Sequence, residues 1–213
     1  MIFGKSKSSA KLILASGSPR RAEILRNAGF EFETYVTHAD ESRRARESPA
    51  KYVGRVAHAK ARAAAEKFAG KSAPTIVIGA DTVVLAGGKI LGKPLDVKDS
   101  RRMLRLLSGK THRVLTGLSV LSLPDGAERH HVETTQVRFR KMSNAEIDDY
   151  IATGEPFGKA GAYAIQGIGG RHVMRVEGCY FNVVGLPLAR LCDLLAQMQR
   201  RGPENGALLR SNR

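Results

Sequence analysis

Apolar residues in the first half of the chain fall into short continuous runs separated by longer stretches of helical periodicity. Lys11–Ala15 (KLILA) has strand length and passes through Ser16-Gly17-Ser18 into a segment with helix-start chemistry. Ser18 suits the N-cap, Pro19 the first helical position and Gly29 the stop. A serine oxygen accepts first-turn N–H groups, proline has no N–H to lose there, and glycine takes the left-handed turn that ends a helix. Residues 30–36 predict a strand, with Phe30, Phe32 and Thr34 alternating with Glu31 and Glu33. An Ala-rich helix is expected over 49–69, again opened by Ser-Pro and closed by Gly70. Residues 75–81 read as a central strand, since Ile76, Val77 and Ile78 are consecutive and β-branched, as burial on both faces requires.

That strand is expected to end at or near Asp81 and to lead into residues 82–86, a Gly87-Gly88 turn and the segment 89–94. A helix over Val97–Leu107 stops at Ser108-Gly109, and strands over Thr111–Leu123 and 127–139 flank Pro124-Asp125-Gly126 as a hairpin. Ser143-Asn144-Ala145-Glu146 is a capping box for a helix reaching Thr153. Residues 154–170 read as a glycine-rich loop and 172–176 as a strand. The last helix, 187–199, is amphipathic, with Leu188, Leu191, Leu194 and Leu195 on one side. Strands alternating with helices favour an α/β architecture. There is no internal repeat, and no linker cuts the chain into independent domains.

Composition narrows the class. With 213 residues, 42% hydrophobic and 26% charged, the chain suffices for a domain with a sizeable core. Its Gly 22, Pro 8 and Cys 2, scattered without a short period, exclude collagen-like, low-complexity and disulfide-scaffold chains. Charge changes the picture more: 35 Lys+Arg against 20 Asp+Glu give a net +15, which asks for an anionic partner such as nucleic acid, a membrane surface or a phosphorylated small molecule. Residues 1–11 and 200–213 read as basic tails carrying +3 each, which leaves +9 on the body. No run approaches the roughly 20 apolar residues of a membrane span, and Leu12 to Ala15 is too short for a signal-peptide core. A cytoplasmic location without a membrane partner is therefore expected. Cys179 and Cys192 form no CxxC pair and read as reduced thiols. The six histidines include one doublet, His130-His131, and none stands at HxxxH or zinc-finger spacing, so spacing predicts no structural zinc site.

Four segments carry candidate chemistry. Where residues 15–21 turn from strand to helix, free N–H groups and the positive end of the helix dipole face outward. Arg20 and Arg21 add full charges in a turn where the dipole disfavours them; an anion site or a capped helix with solvated arginines fits the same letters. The segment has neither the GxxxxGK[ST] nor the GxGxxG spacing. Asp81, beside a buried apolar strand, must be paired, hydrogen-bonded or metal-bound. It is a candidate general base or metal ligand, with a turn-capping aspartate as the alternative. Lys60 in the Ala-rich helix, Lys93 between Gly92 and Pro94, and Asp40-Glu41 converge on one site or stay solvated. Around Gln166, glycines allow close backbone approach to a ligand, and the amide offers a donor and an acceptor matching the imide edge of uracil or thymine.

The stretches LASGSPRR (14–21), GADTVV (79–84), LGKP (91–94), LSGKTHRVLTG (107–117), GEPFGKAGAYAIQG (154–167) and NVVGLPL (182–188) occur in one order over most of the chain. Together they resemble the Maf family of nucleoside triphosphate pyrophosphatases. The resemblance implies a single α/β domain over 12–199, built on a mixed, twisted sheet flanked by helices and related to the inosine triphosphatase fold. It implies hydrolysis of a nucleoside triphosphate to the monophosphate and pyrophosphate, with a divalent cation, Mg²⁺ or Mn²⁺. Asp81-Thr82 with Ile165-Gln166-Gly167 looks like the branch acting on dTTP and UTP. Carried over by position, Asp81 is the proton acceptor, while Arg20, Thr82 and Gln166 set substrate choice. Ser16, Arg21, Lys60 and Lys93 hold phosphates, and Glu41 helps place the metal. Relatives of this kind commonly form homodimers. Cys179 stands where many relatives carry an acid and receives no role. A nucleic-acid-binding regulator is the rival of another class, disfavoured by 6% aromatics, no Trp and no recognition-helix pattern. A purine-directed activity of the inosine triphosphatase kind is the enzymatic rival.

Overall fold

Twelve consecutive residues, Thr75–Ala86, form one strand, β3, and all but Thr82 are buried. In the computed structural model, which describes residues 10–70 and 73–199, the other strands are β1 (Lys11–Ala15), β2 (Glu33–Thr34), β4 (Lys89–Leu91), β5 (Thr111–Leu123), β6 (Glu128–Phe139) and β7 (Val173–Glu177). They make one sheet in the order β2-β1-β3-β5-β6-β7, with β4 joined to β3 alone. Pairing is parallel from β2 through β1 to β3 and antiparallel elsewhere, so the sheet is mixed. The two basic tails lie outside the described residues except for Ala10 and Lys11; Lys11 opens β1 and pairs with Glu33 at 2.7 Å.

The edges of β3 explain where a cleft can form. β5 covers one edge from Thr75 to Leu85. On the other edge β1 ends at the Ala15–Gly79 pair, and β4 begins only at Val84. Residues 80–83 therefore have no strand partner on that side. The expectation that the strand itself ends near Asp81 is corrected here: β3 runs through, and its partner stops.

Helices cover the faces unequally. Of α1 (Pro19–Asn27), α2 (Pro49–Phe68), α3 (Val97–Leu107), α4 (Asn144–Ala152), α5 (Tyr180–Val184) and α6 (Leu188–Gln199), α2 packs on one face, with Ala61, Ala64 and Phe68 against Ile13, Val77 and Leu121. The others lie on the opposite face, where Ile24, Leu25, Leu186 and Leu191 meet Leu14, Ile78 and Leu118, and Leu104, Leu107 and Ile147 meet Val84, Val114 and Phe139. Two glycines set the depth of α2. A Cβ on Gly79 would collide with the Ala57 carbonyl, and one on Gly117 with the Val53 carbonyl, so helix backbone rests directly on strand backbone. None of the helices is long and apolar enough to cross a membrane, among the described residues.

Three further expectations are corrected. The strand at 30–36 shrinks to Glu33–Thr34, because β1 offers it only Ile13 and Leu14 as partners; Phe30 and Phe32 still pack on the α1 core. The loop at 154–170 contains the 3₁₀ turn Ala160–Ala162, and a second, Ile168–His172, runs past its end, so the strand expected at 172–176 is Val173–Glu177. The five-residue α5 was not anticipated, being too short to show a helical period.

Candidate active site

Ser16, Arg20, Arg21, Glu41, Lys60, Asp81, Thr82, Lys93 and Gln166 all line one cleft of about 710 Å³. It lies over the unpartnered stretch of β3. Consecutive strand residues point to opposite faces, so Asp81 faces α2 while Thr82 faces α1, and the cleft wraps around the open edge between two walls.

The α2 wall is acidic. Lys60, buried on α2, places its Nζ 2.9 Å from Asp81 Oδ1 and 2.9 Å from Glu41 Oε1. A buried carboxylate needs such a partner, and the close seat of α2 on Gly79 and Gly117 brings the ammonium within reach. Glu41 sits on a loop that α2 also holds. The Tyr52 hydroxyl donates to the Glu41 carbonyl at 2.8 Å. Arg55 grips Glu47 with two N–H groups, at 2.7 and 2.9 Å, and donates to the Ser42 carbonyl. That grip holds the Glu47 carboxyl down at about 2. Burial, then the charges of Asp81 and Glu41, push the Tyr52 phenol up. The second oxygens of Asp81 and Glu41 make no hydrogen bond to the described residues, and two anionic oxygens are the donor type that Mg²⁺ and Mn²⁺ prefer.

The α1 wall is basic. Arg21 is buried, and every partner it has is neutral. Its Nε donates to the Gly185 carbonyl at 2.8 Å, Nη1 to Ser16 Oγ and the Ala80 carbonyl at 3.0 Å, and Nη2 to Thr82 Oγ1 at 3.0 Å. Among the described residues no carboxylate lies within 4 Å of it. Desolvation lowers its pKa, with distant Asp81 opposing and neighbouring Arg20 reinforcing. Burial lowers Arg20 as well, and lowers Lys159, to which Arg20 adds repulsion. Lys93 is exposed on the same rim. The first turn of α1 holds no acid, and the Ser18 side chain makes no capping bond, so backbone N–H groups there remain open to an anion. Thr82 is tied to Arg21 and to Thr116 Oγ1 at 2.9 Å.

Gln166 is exposed at the cleft mouth, and its amide makes no hydrogen bond to the described residues. Its loop is pinned from behind by Glu155. Oε1 of that carboxylate accepts from the Tyr150 hydroxyl at 2.7 Å and the Gly169 N–H at 2.9 Å, and Oε2 accepts from the Ile168 N–H at 2.8 Å. A Cβ on Gly167 would collide with this carboxylate, so that glycine makes room for Glu155; close approach to a ligand was the expected reason. Glu155, Lys159 and Tyr52 had no role in the sequence reading. Glu155 and Lys159 lay inside a quoted motif, where an acid and a cation among glycines were a usable signal; Tyr52 carried none.

The family description "Maf-like protein" matches residues 11–198. A Vibrio cholerae protein named dTTP/UTP pyrophosphatase is 49% identical over 186 residues, spanning 87% of this chain and 97% of its own. A Koribacter versatilis protein of the same name is 49% identical over 184 residues, 86% of this chain and 92% of its own. A third, from Ralstonia nicotianae, is 46% identical over 193 residues, 87% and 93% of the two chains.

Proposed function

Because the chain belongs to the Maf-like protein family, we propose that it hydrolyses dTTP and UTP to the nucleoside monophosphate and pyrophosphate in the cleft beside β3. The observation that carries this reading is the pair of unlike walls across the open strand edge: a lysine-bridged carboxylate pair on one side, and a buried arginine with only neutral partners on the other. A nucleotide laid along this edge presents its triphosphate to Arg20, Arg21, Lys93, Lys159 and the α1 N-terminus. These groups hold the phosphate charge without reorganising. Ser16 and Thr82, bonded to Arg21, fix the guanidinium that does so.

Asp81 takes a proton from a water, whose oxygen bonds to the α-phosphorus as the bond from that phosphorus to the bridging oxygen breaks; pyrophosphate leaves with its charge held by the basic wall. Lys60 keeps one Asp81 oxygen occupied and leaves the other for the water. A divalent cation would be held by the free Glu41 oxygen, and when bound it supplies further neutralisation of phosphate charge. Gln166, its amide uncommitted, reads the imide edge of the pyrimidine. The reading places the chain in the cytoplasm and requires neither nucleic acid nor a membrane.

The test is pyrophosphate release across dTTP, UTP, GTP and ITP with Mg²⁺ and Mn²⁺, for the native chain and Asp81→Asn. Preference for dTTP and UTP, and a loss of about 10²–10⁴ in kcat in the variant, are expected. Preference for ITP or GTP would replace the pyrimidine reading with the purine one. Native-like turnover by Asp81→Asn would remove the base.

A further inference from the structure

On the flank of α2 away from Asp81, the fold assembles three metal-ligating side chains that no spacing along the chain announces. His58 comes from α2, and Glu128 and His130 from the start of β6; one ligand atom from each lies within 4.8 Å of the other two. Glu128 Oε2 stands 3.6 Å from His58 Nδ1 and 3.3 Å from His130 Nε2. Metal–nitrogen and metal–oxygen bonds of about 2.0–2.1 Å in a tetrahedron put neighbouring donor atoms about 3.3–3.4 Å apart. Both Glu128–histidine spacings lie close to that value.

A second observation points the same way. His58 Nδ1 is buried and has no hydrogen-bond partner among the described residues. An orphaned buried nitrogen is rare and costly, and an ion between it and Glu128 would satisfy it. The other Glu128 oxygen is held by Arg62 at 2.9 Å, which aims the free oxygen at the two rings. Only one ring of the histidine doublet takes part: His131, the next residue, faces the other side of the sheet and pairs with Glu133. His130 is exposed, so water can complete the coordination.

We infer that His58, Glu128 and His130 form a binding site for a borderline divalent transition metal of the Zn²⁺, Co²⁺ or Ni²⁺ class, separate from the cleft, that clamps α2 to β6. Two imidazole nitrogens and one carboxylate favour such ions over Mg²⁺ and Ca²⁺, which take oxygen. None of the three residues lines the cleft. The clamp grips the helix that carries Lys60 two positions further on, so the bound ion fixes the seat of α2 on the sheet.

The test is calorimetric titration of the untagged full chain with Zn²⁺ in excess Mg²⁺, with thermal melts and with Mg²⁺-supported pyrophosphate release measured in the absence of Zn²⁺. One Zn²⁺ per chain and a raised Tm are expected. His130→Ala, an exposed substitution, should weaken Zn²⁺ binding at least about tenfold. It should leave the Mg²⁺-supported activity and the metal-free Tm unchanged, and Glu128→Gln should weaken binding likewise. His131→Ala should bind as the native chain does. No Zn²⁺ uptake under excess Mg²⁺ by the native chain, equal affinity in His130→Ala, or an equal loss in His131→Ala would overturn the site. None of these outcomes touches the nucleotide reading, because none of these residues lines the cleft.

Discussion

Lys60 and Arg21 are both buried cations beside β3, one on each face, and they differ in what holds them. Lys60 is compensated by two carboxylates at 2.9 Å. Arg21 has four hydrogen bonds, to Gly185, Ser16, Ala80 and Thr82, and no anion. A cation closed by acids belongs to the architecture and positions its partners. A cation satisfied by dipoles alone keeps its charge for a ligand, because neutral acceptors meet its hydrogen-bonding need without cancelling its field. The adjacency of Asp81 and Thr82 in the chain thus conceals a division of labour, the acid facing the acidic wall and the hydroxyl the basic one.

Removing one cation from each wall breaks the comparison most directly. Lys60→Met leaves Asp81 buried without its partner and should cost about 3 kcal/mol of stability in urea or thermal unfolding. A loss no greater than that of a surface substitution would show that Asp81 does not depend on Lys60. Next in size is the seating of the walls. Gly79→Ala pushes the α2 backbone off the sheet and should cost about 2 kcal/mol together with much of the activity. Gly17→Ala on the α1 wall meets only the Val36 side chain at 3.2 Å and should cost well under about 1 kcal/mol. Equal losses at the two glycines would remove the claim that backbone contact seats α2.

Arg20→Met should do the reverse of Lys60→Met. It relieves repulsion with Arg21, so stability should stay within about 0.5 kcal/mol of native, while KM for dTTP rises about tenfold as one phosphate-facing charge is lost. An unchanged KM would take Arg20 out of the basic wall. The smallest effect is expected at the mouth. Gln166→Glu replaces an amide donor with a repelling acceptor and should lower the dTTP-to-GTP ratio of kcat/KM about fivefold, the worth of about one hydrogen bond; a constant ratio would leave base selection to other residues.

Much of this was legible in the letters. Ser48-Pro49 and the Ser143 to Glu146 capping box fall where the sequence places them, because capping is a contact between residues three apart. The long hairpin β5–β6 was legible for the same reason. Residues 30–36 were misread because alternation shows which side chains seek burial, not where a neighbouring strand lies alongside; β1 pairs with this segment only through Ile13 and Leu14. Gly167 shows a further limit: a glycine reports a need for space without naming every occupant, and one occupant here is Glu155, twelve positions earlier.

Local spacing carries the order of the elements apart from α5, the residue types of the site and, through its motifs, the family they resemble. All of these rest on local spacing and on residue identity. Packing makes the two walls unlike, sets Lys60 against Asp81 and Glu41 while Arg21 meets no acid, and brings His58 to Glu128 and His130. Those pairings join residues 21, 19 and 70 or more positions apart, and they exist because β1 stops and β4 starts on the same edge of β3 while two glycines let α2 sink onto the sheet. Charge sign is written residue by residue, but compensation of charge is a property of distance, and distance is set by packing.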